Sequence, residues 1–116
     1  DQLKQRSKAF AVRVAKMTEA LPRTRTAEIV ARQVIRSATS VGANYRAACR
    51  ARSHAEFVAK LGIVEEEADE TLYWLEMIVE TELLPEARLA ELMREANELT
   101  AIFTASGRTA RRNRPT

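Results

Sequence analysis

The sequence predicts an all-α protein folded as an antiparallel up-and-down four-helix bundle, and three observations carry that prediction. Apolar residues recur every three or four positions through four separate stretches. Nowhere do apolar and polar residues alternate over the length of a strand. Breakers are scarce, three glycines and three prolines in 116 residues, and most of them fall at the edges of the periodic stretches.

The first helix is expected over residues 3–20, with Leu3, Phe10, Val14, Met17 and Leu21 on one stripe and Pro22 ending it. The second is expected over 26–49, with Val30, Val34, Ala38, Val41 and Tyr45 as its apolar line. Gly42 sits inside this line at a cost of about 1 kcal/mol against Ala, so its expected use is the close approach of another backbone. Ser53 and Glu56 form a Ser-x-x-Glu capping box that opens the third helix, which makes residues 50–52 a corner. Phe57, Leu61, Val64, Ala68, Leu72, Leu75 and Val79 then give a bundle seam. Pro85 suits the first turn of a fourth helix, which runs through Leu89, Leu92, Ala96, Leu99 and Phe103 to Gly107. Residues 1–107 make one bundle domain, and 108–116 read as a loose basic tail. Links of a few residues oblige consecutive helices to run antiparallel.

Composition removes several kinds of function. The lone Cys49 excludes an internal disulfide and, with His54 as the sole histidine, a Cys/His zinc set. Cys49 is expected as a small packing residue in a reducing cytoplasm, and His54 as an exposed residue in the first turn of the third helix. With no run of about 18 apolar residues and no charged-then-apolar leader, neither a membrane span nor a signal peptide is expected. No Ser/His/Asp or Cys/His arrangement indicates nucleophilic catalysis, so no catalytic residues, metal or cofactor are assigned.

Charge is sorted along the chain although the net value is only +3. Residues 22–52 hold seven arginines against Glu28, and residues 53–86 hold ten acids against Lys60. At about 100° per residue, Arg25, Arg32, Arg36, Arg46 and Arg50 fall in one wedge of the second helix, opposite its apolar line, and Arg52 extends the wedge at the corner. Two readings compete. The arginines pair with acids of a neighbouring helix or subunit, which leaves a purely structural or protein-binding oligomer. Alternatively they form a phosphate-binding ridge, since a guanidinium grips phosphate oxygens bidentately and each neutralised phosphate releases counterions. Few aromatics lie on that side, so contact with RNA or DNA would be to the backbone.

A second surface is expected on the third helix, where Ile63, Tyr73, Trp74, Met77 and Ile78 offer more apolar area than a solvated face needs; it is either a broad buried face within one bundle or, the reading preferred, a subunit interface. Glu66, Glu67 and Glu70 give an E-E-x-x-E spacing, and Glu95 and Glu98 an E-x-x-E on the next helix. This resembles the all-α nucleotide pyrophosphohydrolases, which would imply a Mg²⁺ site, although Glu98 stands where that pattern has Asp.

The residues from Val34 to Asn44, VIRSATSVGAN, followed by Arg52-Ser53 and Glu56-Phe57, carry a broader likeness. Over roughly residues 3–105 the chain resembles the four helix bundle protein family, also described as 23S rRNA intervening-sequence proteins. The resemblance implies a small bacterial protein with a left-handed up-and-down bundle, assembled as a homopentamer and without known enzymatic activity. It also implies kinship with a basic accessory protein of diversity-generating retroelements that associates with nucleic acid. The chain departs from the family pattern after Asn44, where Tyr45-Arg46-Ala47-Ala48 replaces the usual I-A-E-G. It departs again at Glu65–Glu67, where a Gly-Ser pair is usual.

Overall fold

The structure, a computed structural model, describes residues 2–113. Four helices make up the fold: α1 (Gln2–Thr18), α2 (Arg25–Cys49), α3 (His54–Glu80) and α4 (Glu86–Arg112). Each packs against the next in sequence and α4 returns to α1, giving a bundle 53 × 22 × 19 Å.

Local chemistry sets the helix ends. The Thr24 side chain accepts the Ala27 N–H at 3.2 Å and starts α2. At the corner the Ser53 hydroxyl accepts the Glu56 N–H at 3.1 Å, while the Glu56 carboxylate accepts the Arg52 N–H at 2.9 Å. The expected capping box is therefore present, closed one residue further back. The end of α3 is a Schellman turn, with Leu83 N–H donating to the Ile78 carbonyl and Glu82 N–H to that of Val79, both at 3.0 Å. This turn holds Glu82 at a φ of 59°, in the left-handed region.

Phe10, Val14, Val30, Val34, Ala38, Val41, Val64, Ala68, Leu75, Leu89, Leu99 and Phe103 fill one continuous core. A smaller cluster of Ala48, Leu61 and Ala110 closes the end where α2 meets α3. Across the α2–α3 joint, the wholly buried hydroxyls of Ser37 and Thr71 lie 2.9 Å apart. Thr71 also bonds the Glu67 carbonyl at 2.8 Å, and Ser37 that of Val34 at 3.3 Å. Gly42 lies against α1, where a Cβ would meet Ser7 and Lys8 backbone atoms at 3.6 Å. The close approach expected of it is made there.

Several details differ from the sequence reading. The buried seam of α3 is Leu61, Val64, Ala68, Thr71, Leu75 and Ile78. Thr71 thus takes an inward position that periodicity gave to Leu72, because Ser37 satisfies its hydroxyl. Ile78, expected at a subunit interface, lies wholly in the core. Finally, α4 does not stop at Gly107. The apolar line continues through buried Gly107 and Ala110, whose small size lets α4 run beside the start of α3 to Arg112. Residues 108–112 of the expected tail are thus helical, and 114–116 lie outside the described residues. Pro85 precedes α4 as its N-cap rather than sitting within the first turn.

Candidate nucleic-acid interface

Burying Val30, Val34, Ala38 and Val41 turns the opposite side of α2 to solvent. Arg25, Arg32, Arg36, Arg46, Arg50 and, past the helix end, Arg52 are all exposed, as the wedge predicts. Tyr45 helps fix the inward side, half-buried with its ring 5.3 Å from that of Phe103. Burial, and then hydrogen bonding with Cys49, pushes the Tyr45 phenol up to about 12, so it is uncharged at neutral pH.

Arg36 departs from the open ridge. Its guanidinium turns toward α3, where Nη1 lies 3.1 Å from Glu67 Oε2 and Nη2 pairs with Glu70 Oε2. The hydrogen bond to Glu70 raises the Arg36 pKa further, against the opposing effect of desolvation. The expectation that helix-two arginines pair with acids of a neighbouring helix is therefore met at this one position, within the chain. Arg25, Arg32, Arg46, Arg50 and Arg52 make no ion pair among the described residues.

Sequence reasoning missed that the basic surface continues onto α1. Lys4, Gln5, Lys8, Ala11, Val12 and Ala15 of α1 face Thr39, Gly42, Ala43 and Arg46 of α2 across an open groove of about 560 Å³. The available signal was the spacing of Lys4, Lys8, Val12 and Ala15 along one face, on a helix with five basic residues and no acid.

On α3 the other expected surface is present in part. Ile63 is 39% and Tyr73 51% exposed. Trp74 and Met77 are half-buried. The Trp74 indole donates to Glu70 Oε2 at 3.1 Å and meets the Tyr73 ring nearly at right angles, 5.1 Å away.

The two acid patterns do not converge on a shared cation site. Glu67 and Glu70 turn to Arg36 of α2. Glu95 and Glu98 turn to Arg6 of α1, with Arg6 Nε and Nη2 donating to the two Glu95 oxygens at 2.8 and 2.7 Å. That bidentate bond outweighs burial and holds the Glu95 carboxyl below the usual carboxylate range. No group of three or more His, Cys, Asp or Glu side chains among the described residues is arranged to hold a metal. Nor is any described helix long and apolar enough to cross a membrane.

Cys49 is exposed rather than packed. His54, expected at the surface, is half-buried with its Nε2 shut away from solvent and lacking a hydrogen-bond partner.

The sequence matches the family model described as 23S rRNA-intervening sequence protein over residues 2–105. The fold is similar to the crystal structure of a protein with unknown function from the S23 ribosomal protein family of Bacteroides thetaiotaomicron VPI-5482. That likeness has a TM-score of 0.82 and 34% identity, covering 89% of this chain and 95% of the other. No curated protein matches the sequence. The stretch 34–44 that carries the resemblance has a structural use in this fold. Ser37 bonds Thr71, Gly42 abuts α1, and Asn44 Nδ2 donates to the Ser40 carbonyl and hydroxyl at 2.9 and 2.8 Å.

Proposed function

The chain belongs to the 23S rRNA-intervening sequence protein family, and from that premise we propose that it is a non-enzymatic, oligomeric bundle that holds nucleic acid by its backbone along the cationic ridge of α2. One observation supports this reading above the others. All six arginines on or next to one helix face are exposed, and five of them make no ion pair with an acid among the described residues. Like charges held together repel one another, and a polyanion relieves that repulsion. Phosphates suit the arrangement because the donors are guanidiniums, which bind oxygen pairs in a fixed planar geometry. Arginines spread along α2 would follow a phosphate strand and read little of its base sequence.

Chemistry on the substrate is not part of the proposal, since Arg36 grips Glu67 and Glu70, and Arg6 grips Glu95 and Glu98. Assembly is part of it: Ile63 and Tyr73 stand in solvent beside half-buried Met77, and five copies is the number that the family resemblance implies. Fluorescence anisotropy with labelled structured RNA and duplex DNA tests the reading. We expect binding at 50 mM salt that weakens steeply as salt rises and is competed equally by unrelated sequences. Absence of binding at low salt, or affinity indifferent to salt, overturns it.

A further inference from the structure

The outward side of α3 carries a second heptad line, separate from its buried seam. Ile63, Glu66, Glu70, Tyr73 and Met77 succeed one another at intervals of three and four residues, roughly opposite Leu61, Val64, Ala68, Thr71 and Leu75. Such a line is what a helix presents when a further helix or groove lies along it. Among the described residues no helix covers it: Ile63 and Tyr73 are exposed, and Arg36 of α2 reaches across only to Glu70. The line is also acidic, on a helix that holds eight acids against Lys60.

The α1–α2 groove is its counterpart. Small side chains, Ala11, Ala15, Gly42 and Ala43, make the floor, and Val12 lies 47% exposed at its side. Lys4, Lys8 and Arg46 form the rim. An apolar floor between cationic edges takes an apolar helix face with acids beside it. The groove spans Lys4 to Ala15, about 16 Å of helix, and the α3 line from Ile63 to Met77 is long enough to fill it at about 21 Å. The chain cannot fill its own groove, because its α3 packs across the other flank of α2 and turns this line outward.

We propose that a second copy of this chain seats the outward line of its α3, Ile63 through Met77, in the α1–α2 groove. This rests on the oligomeric reading above and supplies its joint. The two surfaces are different, so the contact is heterologous, head to tail. Arg25, Arg32, Arg50 and Arg52 lie outside the groove lining and stay available to a polyanion.

Two variants test the joint, both altered only at exposed residues. Lys8→Glu with Arg46→Glu spoils the groove and keeps α3, whereas Ile63→Asp with Tyr73→Asp spoils α3 and keeps the groove. By analytical ultracentrifugation the unaltered chain is expected to sediment as a multimer and each variant as a 13.0 kDa monomer, with circular dichroism unchanged. The decisive measurement is their mixture. One intact groove and one intact α3 should pair into a dimer of twice the monomer mass and go no further, a rescue that a contact of α3 with α3, or of groove with groove, cannot give. Variants that stay assembled, or a mixture that stays monomeric, overturn the proposal. The milder Lys8→Gln and Ile63→Ser exchanges must shift dissociation in the same direction, which guards against a folding artefact. An unaltered chain that is monomeric sinks the oligomeric reading as well. The α3 variant leaves all the ridge arginines in place, so loss of nucleic-acid binding by the unaltered chain is a separate failure.

Discussion

Removing one ridge arginine should change the salt dependence of nucleic-acid binding by a countable amount. With Arg36 held by Glu67 and Glu70, and Arg46 on the groove rim, four guanidiniums remain for phosphates: Arg25, Arg32, Arg50 and Arg52. On duplex DNA each phosphate contact contributes about −0.9 to the slope of log K against log salt, so the slope should be about −3.6. Over a fourfold rise in salt the affinity then falls roughly 150-fold. Arg32→Ala should bring the slope to about −2.7 and the loss to roughly 40-fold. Arg36→Ala should leave the slope where it was and show its effect in thermal melting instead, at about 1 kcal/mol, since its pairs are half-exposed. Anisotropy titrations of the three proteins at four salt concentrations supply the numbers. Equal slope changes for Arg32→Ala and Arg36→Ala would refute the reasoning, because they would mean that ion pairing within the chain does not decide which arginines meet phosphate.

Three further outcomes concern stability. Thr71→Val should cost about 1 kcal/mol and lower the melting temperature by roughly 3–6 °C. Joined with Ser37→Ala it should cost less than the sum of the two single changes in urea denaturation, because both partners are then apolar. Glu82→Gly should stabilise the fold by about 1 kcal/mol, since glycine adopts a φ of 59° without the steric cost that any other side chain meets. Glu95→Gln should flatten the acid limb of a stability-against-pH curve. The folded-state pKa of Glu95 is depressed, so its contribution is present above the ordinary carboxylate range and is lost as pH falls through the folded value. A variant curve parallel to that of the unaltered chain below pH 5 would contradict the Arg6–Glu95 assignment.

Much of the fold could be read in advance because its signals are local. The Ser53–Glu56 box, Pro22 and the 3-4 spacing of the apolar residues act within one or two turns, and the helix starts and stops follow from them. Errors arose where a distant partner decides. Thr71 turns inward because Ser37, on another helix, satisfies its hydroxyl, and that rotation carries Ile78 into the core with it. Gly107 looked like a stop by composition, yet Gly107 and Ala110 keep the period of Phe103 and pack beside the start of α3. The arginine wedge was legible from the spacing on a single helix. That Arg36 is spoken for was not, because Glu67 and Glu70 lie more than thirty positions away. Lys4 and Lys8 escaped notice because a groove belongs to two helices, and neither helix alone announces it.

The Ser37–Thr71 pair has a bearing on how the bundle finds its register. Aliphatic ridges are nearly interchangeable from turn to turn, so two such helices could slide by about 5 Å, one turn, and still bury oil against oil. Two hydroxyls enclosed at one level act as a detent: after a slip each would face hydrocarbon, and only one alignment lets them meet. A single pair of small polar groups can thus index a long smooth joint, which leaves the sequence around it freer to drift.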